Sequence, residues 1–178
     1  MTENELIELI NKIIILKCES VDIELKSAKC GCPESLYDTL SSFSNTKGGI
    51  IVFGIDEKNG YKVVGVDNPQ ELQKKIAEQS LSMEPVVRPL FTIAQYDNKI
   101  VCSAEIPEIE PFLKPCYYKG KGKSKGSYIR IGDEDLPMTD YEIHSFEAFK
   151  YKIEDELRIK ERVDISFLNN NSIDGYIS

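Results

Sequence analysis

Residues 50–55, Ile-Ile-Val-Phe-Gly-Ile, constrain the fold more than any other stretch of the chain. Side chains alternate between the two faces of a strand, so consecutive apolar residues cannot all serve one core. A strand of this kind must be covered on both sides, which makes it central. Gly48-Gly49 precede it, and Asn59-Gly60, the strongest hairpin signal in the chain, follow it. Residues 50–66 therefore read as a hairpin with a return strand over Tyr61–Val66. At 178 residues the chain has room for one ordinary domain around such a strand.

The flanking segments fit the same frame. Leu6, Leu9, Ile10, Ile13 and Leu16 recur at helical spacing over residues 3–17, and Ile14 and Ile15 widen the stripe, which predicts a well-buried helix. Residues 21–26 alternate strictly, so Val21, Ile23 and Leu25 are expected to face a core, with Asp22, Glu24 and Lys26 on the other side. Pro33 suits the first turn of a helix running to about Thr46, which Gly48-Gly49 would close. Asn68-Pro69-Gln70-Glu71 reads as a capped helix start. Residues 89–96 and 99–106 read as a hairpin around Asp97-Asn98-Lys99. Residues 115–119 and 126–131 suggest a third hairpin around a pliable Gly/Lys loop. Thr139-Asp140-Tyr141-Glu142 is a capping box for a last helix reaching about Ile159. Hairpins outnumber crossovers, so the expected class is α+β, a mixed and mostly antiparallel sheet packed against helices. The domain is expected over 1–160, with 161–178 a polar tail or linker toward a further C-terminal region.

Charge narrows the function. The net charge is −8, which counts against a generally basic nucleic-acid binder. That total conceals a segregation. Lys114, Lys119, Lys121, Lys123, Lys125 and Arg130 lie within 17 positions that hold no acid, and the rest of the chain stands at −14. Tyr117, Tyr118 and Tyr128 add stacking surfaces. Lysines beside aromatics suit a phosphate backbone. No apolar run approaches the ~20 residues of a membrane span. The acidic N-terminus does not read as a secretory signal. Five cysteines without an export signal read as reduced thiols in a cytoplasm. Cys30-x-Cys32 is too tight for the usual zinc knuckle.

One further constellation could carry chemistry. Glu24 and Lys26 share a strand face, Glu19 precedes that strand, and Asp56 ends the next. Were the strands neighbours, Glu19, Glu24 and Asp56 could converge on Mg²⁺ or Mn²⁺ for phosphodiester hydrolysis, with Lys26 steadying a phosphate. Ordinary ion pairs on a solvated strand face would give the same pattern. The single His144 leaves little room for histidine chemistry. Asn45-Thr46-Lys47-Gly48-Gly49 follows a helix and lacks the phosphate-loop spacing, so Asn45, Thr46, Gly48 and Gly49 read as structural.

Taken together, Glu19-Ser20, Glu24-Leu25-Lys26, Ser42-Phe43-Ser44-Asn45-Thr46-Lys47-Gly48-Gly49, Phe53-Gly54-Ile55-Asp56, Val64-Gly65-Val66 and Tyr128-Ile129-Arg130-Ile131-Gly132 resemble the AlbA-like DNA-binding domain of Schlafen proteins. The same domain occurs in bacterial transcriptional regulators, RecG-like helicase-related proteins and proteins called divergent ATPases. Leu25 stands where Phe is common, and Ser42 and Ser44 replace alanines. The resemblance implies an α+β fold and a nucleic-acid-binding module of a bacterial regulator, DNA before RNA, requiring no cofactor and without catalysis. It also implies two alternatives. One is a Schlafen-like metal-dependent endoribonuclease using Glu19, Glu24 and Asp56. The other is a nucleotide-binding or ATPase-related domain, which the missing phosphate loop counts against. A homodimer is compatible with a domain of this size.

Overall fold

The computed structural model describes residues 1–18, 20–29 and 31–162. Its frame is a four-stranded sheet of β1 (Ile23–Lys26), β2 (Gly49–Phe53), β6 (Leu90–Tyr96) and β7 (Lys99–Ile106), in the order β1-β2-β7-β6. β1 runs parallel to β2, with Leu25 opposite Val52, and the remaining pairs are antiparallel. The crossover between the parallel strands carries α2 (Tyr37–Asn45).

Helices cover both faces, which is why β2 can be apolar at every position. On one side α1 (Glu3–Leu16) lays Leu6, Ile10 and Ile13 against Ile23, Leu25, Val52, Ala94 and Val101. On the other, Leu40 and Phe43 of α2 and Leu72 and Ile76 of α3 (Pro69–Leu81) pack on Ile51, Phe53, Cys102 and Ala104. Two of the three caps are those expected, at Asn68 and Thr139, and the one at Thr2 is an addition. Thr2 and Glu5 form a capping box, Asn68 caps α3, and Thr139 with Glu142 opens α5 (Asp140–Arg162). The β6–β7 hairpin turns on Asp97 and Asn98, both at positive φ, the conformation a tight twisted hairpin demands.

Gly48 takes φ +76° after α2 and returns its N–H to the carbonyl of Phe43. A Cβ on Gly49 would stand 2.7 Å from the Phe43 ring, so no larger residue fits there.

Several expectations are corrected. Ile15 and Leu16 are 78% and 67% exposed, because α1 buries one narrow stripe, Leu6, Ile10 and Ile13, and these two lie off it. Val21 is exposed and precedes the strand, which begins at Ile23. α2 starts at Tyr37, four residues after Pro33. The Gln79 side chain holds the approach open, accepting from the Leu36 N–H at 2.7 Å and donating to the Pro33 carbonyl at 3.1 Å. Residues 50–66 are not one long hairpin. Gly54 breaks the strand, β3 (Ile55–Asp56) pairs only with β4 (Lys62–Val63), and a 3-10 turn over Glu57–Asn59 joins them. The expected third hairpin is reduced to a single antiparallel bridge between Tyr117 and Ser127. β8 (Tyr117–Tyr118) pairs with β5 (Met83–Glu84), while β9 (Tyr128–Ile131) pairs with β10 (Glu134–Pro137). The expected pliable loop is the short helix α4 (Gly122–Gly126). Glu19, Cys30 and the tail from Val163 onward lie outside the described residues. Among the described residues, no helix is long and apolar enough to cross a membrane.

Candidate functional site

The lysine-bearing segment is anchored at both ends by α2. The Asn45 amide nitrogen donates to the carbonyls of Cys116 and Tyr128, both at 2.9 Å, and its oxygen accepts the Cys116 N–H at 2.6 Å. One turn earlier, the Ser41 hydroxyl donates to the Cys116 carbonyl at 2.7 Å and accepts the Tyr128 N–H at 2.8 Å. Residues 116 and 128 are thus pinned to adjacent points of one helix. The partners of Asn45 lie 71 and 83 residues away and no local pattern announces them.

The six basic residues separate into two kinds. Lys114 is buried. Its Nζ donates to the Asn45 and Thr46 carbonyls at 2.8 and 3.2 Å and pairs with Glu108 at 2.7 Å, so it closes the C-terminal end of α2. Arg130 is buried as well. These two leave the expected phosphate-contacting set. Lys119, Lys121 and Lys125 are exposed and Lys123 is half-exposed. Lys119 donates to the Leu81 carbonyl at 2.9 Å. Lys121 meets Asp38 at 3.1 Å and stands 5.2 Å above the Tyr128 ring. Lys123 meets Glu147 at 2.6 Å. Among the described residues Lys125 has no partner. Bonds that the Lys121 ammonium donates to the Tyr128 hydroxyl and then to Asp38 hold it above the ordinary lysine range, and Glu147 does the same for Lys123. Both remain cations at any physiological pH. Tyr118 stacks on Tyr37, centroids 3.7 Å apart and rings 8° from parallel, so one of its faces is already taken.

Arg130 organises a second, buried cluster. Its guanidinium bonds Glu24 at 3.0 Å and Asp135 at 2.9 Å, donates to the carbonyls of Val21 and Ile23, and lies 5.1 Å from the Phe43 ring centroid. Asp135 also accepts from the hydroxyls of Thr39 and Ser42. This cluster ties β1, β9, β10 and α2 together. Asp135, Thr39 and Ser42 carry no sequence signal, because their roles exist only once those elements meet.

Glu24, Lys26 and Asp56 do line one cleft, of about 280 Å³, together with Ser27, Glu57 and Lys58. The chemistry there is not that of a cation site. One Glu24 oxygen bonds Lys26 and the other bonds Arg130. Asp56 accepts from the Asn59 amide at 2.6 Å. Among the described residues no three potential ligands are placed to share an ion, and Glu19 is not among those residues. Among the described residues the donor set does not fit Mg²⁺ or Mn²⁺, because the Glu24 oxygens are already taken by Lys26 and Arg130.

A mixed sheet covered on both faces, with a basic turn clamped to the α2 C-terminus, defines an α+β domain of the AlbA-like type. The chain belongs to the Schlafen AlbA_2 family, whose profile matches residues 19–139. It is similar to the N-terminal domain of a Nitrosomonas europaea protein described as ATP-dependent DNA helicase RecG-related. The identity is 28% and the TM-score 0.54, over 78% of this chain and 94% of that one. It shares its fold with a Corynebacterium diphtheriae protein at 16% identity and TM-score 0.51, over 83% of this chain but 34% of that one. No curated protein matches it.

Proposed function

We propose that this chain is a nucleic-acid-binding module, for DNA before RNA, of a bacterial transcriptional regulator, with no catalysis of its own. The observation that carries the reading is the clamped turn of Lys119, Lys121, Lys123 and Lys125 on an otherwise acidic body. The ion pair of Lys121 is exposed and that of Lys123 partly so, and surface pairs contribute only about 0–1 kcal/mol, so a phosphate can replace either carboxylate. The acidic remainder repels a polyanion and leaves this turn as the point of contact. Family membership and the helicase-related neighbour support the same reading, and both structural neighbours come from bacteria.

The test is fluorescence anisotropy with duplex DNA, single-stranded DNA and tRNA across a salt series. If the four lysines each neutralise one phosphate, log K falls against log salt with a slope of about −3.6. Lys121→Glu with Lys125→Glu abolishes binding and leaves the melting curve unchanged. Salt-independent binding, or none to any of the three at low salt, refutes the module. Cleavage of a substrate with Mn²⁺ or Mg²⁺, lost on chelation and in Glu24→Ala, refutes the absence of catalysis. ATP binding by calorimetry would support the nucleotide-binding alternative instead.

A further inference from the structure

The two edges of the sheet are finished differently. At β1 the edge is short, charged by Glu24 and Lys26, and covered by the Arg130 guanidinium on the Val21 and Ile23 carbonyls. β6 has none of these devices. It is seven residues long, Leu-Phe-Thr-Ile-Ala-Gln-Tyr, with no charge and no proline. Tyr96 and Lys99 flank a two-residue turn and so form a hydrogen-bonded pair. The alternation then aims the N–H and C=O groups of Phe91, Ile93 and Gln95 away from β7. Among the described residues nothing bonds them. Leu90 is 68% exposed on the same strand. Natural edges of this length are normally blunted by lysine, proline or a bulge.

We propose that two copies of this chain pair antiparallel through β6, joining their sheets into one of eight strands. The register follows from the outward groups. With Ile93 opposite Ile93, Phe91 of each copy faces Gln95 of the other, and all the outward N–H and C=O groups of both copies are satisfied. Leu90 then lies opposite Tyr96, burying its exposed side chain. The charges at the strand ends select this partner. Arg88 precedes β6 and Asp97 closes its turn. Both are exposed, and neither has a partner among the described residues. Antiparallel pairing brings Arg88 of each copy to the end that carries Asp97 of the other, twice per dimer. A foreign strand has no reason to match both ends.

Sedimentation equilibrium of the full chain over a concentration series tests the proposal. The expected result is a reversible dimer. Gln95→Pro removes an outward N–H, at an exposed position where an edge strand accepts proline, and leaves the β7 ladder intact. It is expected to sediment as a monomer with an unchanged far-UV spectrum. Arg88→Asp is expected to raise the dimer dissociation constant about tenfold at low salt, since it turns two attractions into repulsions. A monomer throughout a series reaching about 1 mM overturns the proposal. So does a dimer that a well-folded Gln95→Pro leaves intact. If Gln95→Pro does not fold, an unchanged dissociation constant in Arg88→Asp overturns it instead.

Discussion

Arg130 offers the sharpest test of how this domain is held together. Replacing it with Met keeps the length and apolar character of the stem but removes the charge between Glu24 and Asp135. The Arg130 side chain is 2% exposed, and those of Glu24 and Asp135 are 13% and 15% exposed. Breaking a buried pair by deleting one member costs about 3–5 kcal/mol, because the remaining charge is left without compensation. Lys26 still bonds Glu24, and Thr39 and Ser42 still bond Asp135. Those contacts place the expected loss near 3 kcal/mol, at the lower end of that range. For a domain of this size each kcal/mol moves the melting temperature by about 2–4 °C, so the expected fall is about 6–12 °C. Urea unfolding and thermal melting by circular dichroism measure it. Adding Glu24→Gln and Asp135→Asn to the same chain should recover part of the loss, since neutral amides need no counter-charge. A single variant within about 1 kcal/mol of the parent refutes the reasoning. Lost nucleic-acid affinity at unchanged stability would place Arg130 at the binding surface instead.

Three other outcomes follow from the same packing. Asn45→Ala strands the Tyr128 carbonyl and the Cys116 N–H, and leaves the Cys116 carbonyl to Ser41 alone. It should destabilise the domain by at least about 2 kcal/mol in urea unfolding. The thiols should differ in reactivity. Burial pushes Cys102 up to about 11 and Cys116 up to about 12. At pH 8 their thiolate fractions are roughly 10⁻³ and 10⁻⁴, so a disulfide reagent should reach them only on unfolding, whereas exposed Cys18 reacts in the native state. Equal native rates for all the thiols would contradict the burial. The unfolded chain ionises these thiols first, so it binds fewer protons than the folded one above the ordinary thiol range. Stability should therefore decline as pH rises from there toward 11–12.

What the sequence reveals about this fold depends on distance along the chain. The caps at Asn68 and Thr139 and the Asp97-Asn98 turn are legible because each is decided within four residues. β2 is legible as central because its own composition demands two covering layers. Val21 and Ile15 mislead, since an alternating or helical pattern says which residues share a face but not where the neighbouring layer ends. The lysine segment misleads for another reason. Gly120, Gly122 and Gly126 suggest pliability, yet two of them admit close packing against Tyr118: a Cβ on Gly126 would stand 2.7 Å from the Tyr118 carbonyl. Lys114 and Arg130 look like their exposed neighbours until α2 and β1 arrive to bury them. The cluster of Glu24, Arg130 and Asp135 spans more than 100 residues of sequence, and no local rule reaches that far.

The twin anchors at Cys116 and Tyr128 bear on the thermodynamics of recognition. A basic loop that is floppy when free must surrender conformational entropy on meeting a polyanion, and its affinity suffers accordingly. Here the fold itself has already closed that loop at both ends, so little ordering is left for the encounter. Association through this turn should then be driven chiefly by counterion release, with a small heat effect and a rate set by diffusion rather than by rearrangement.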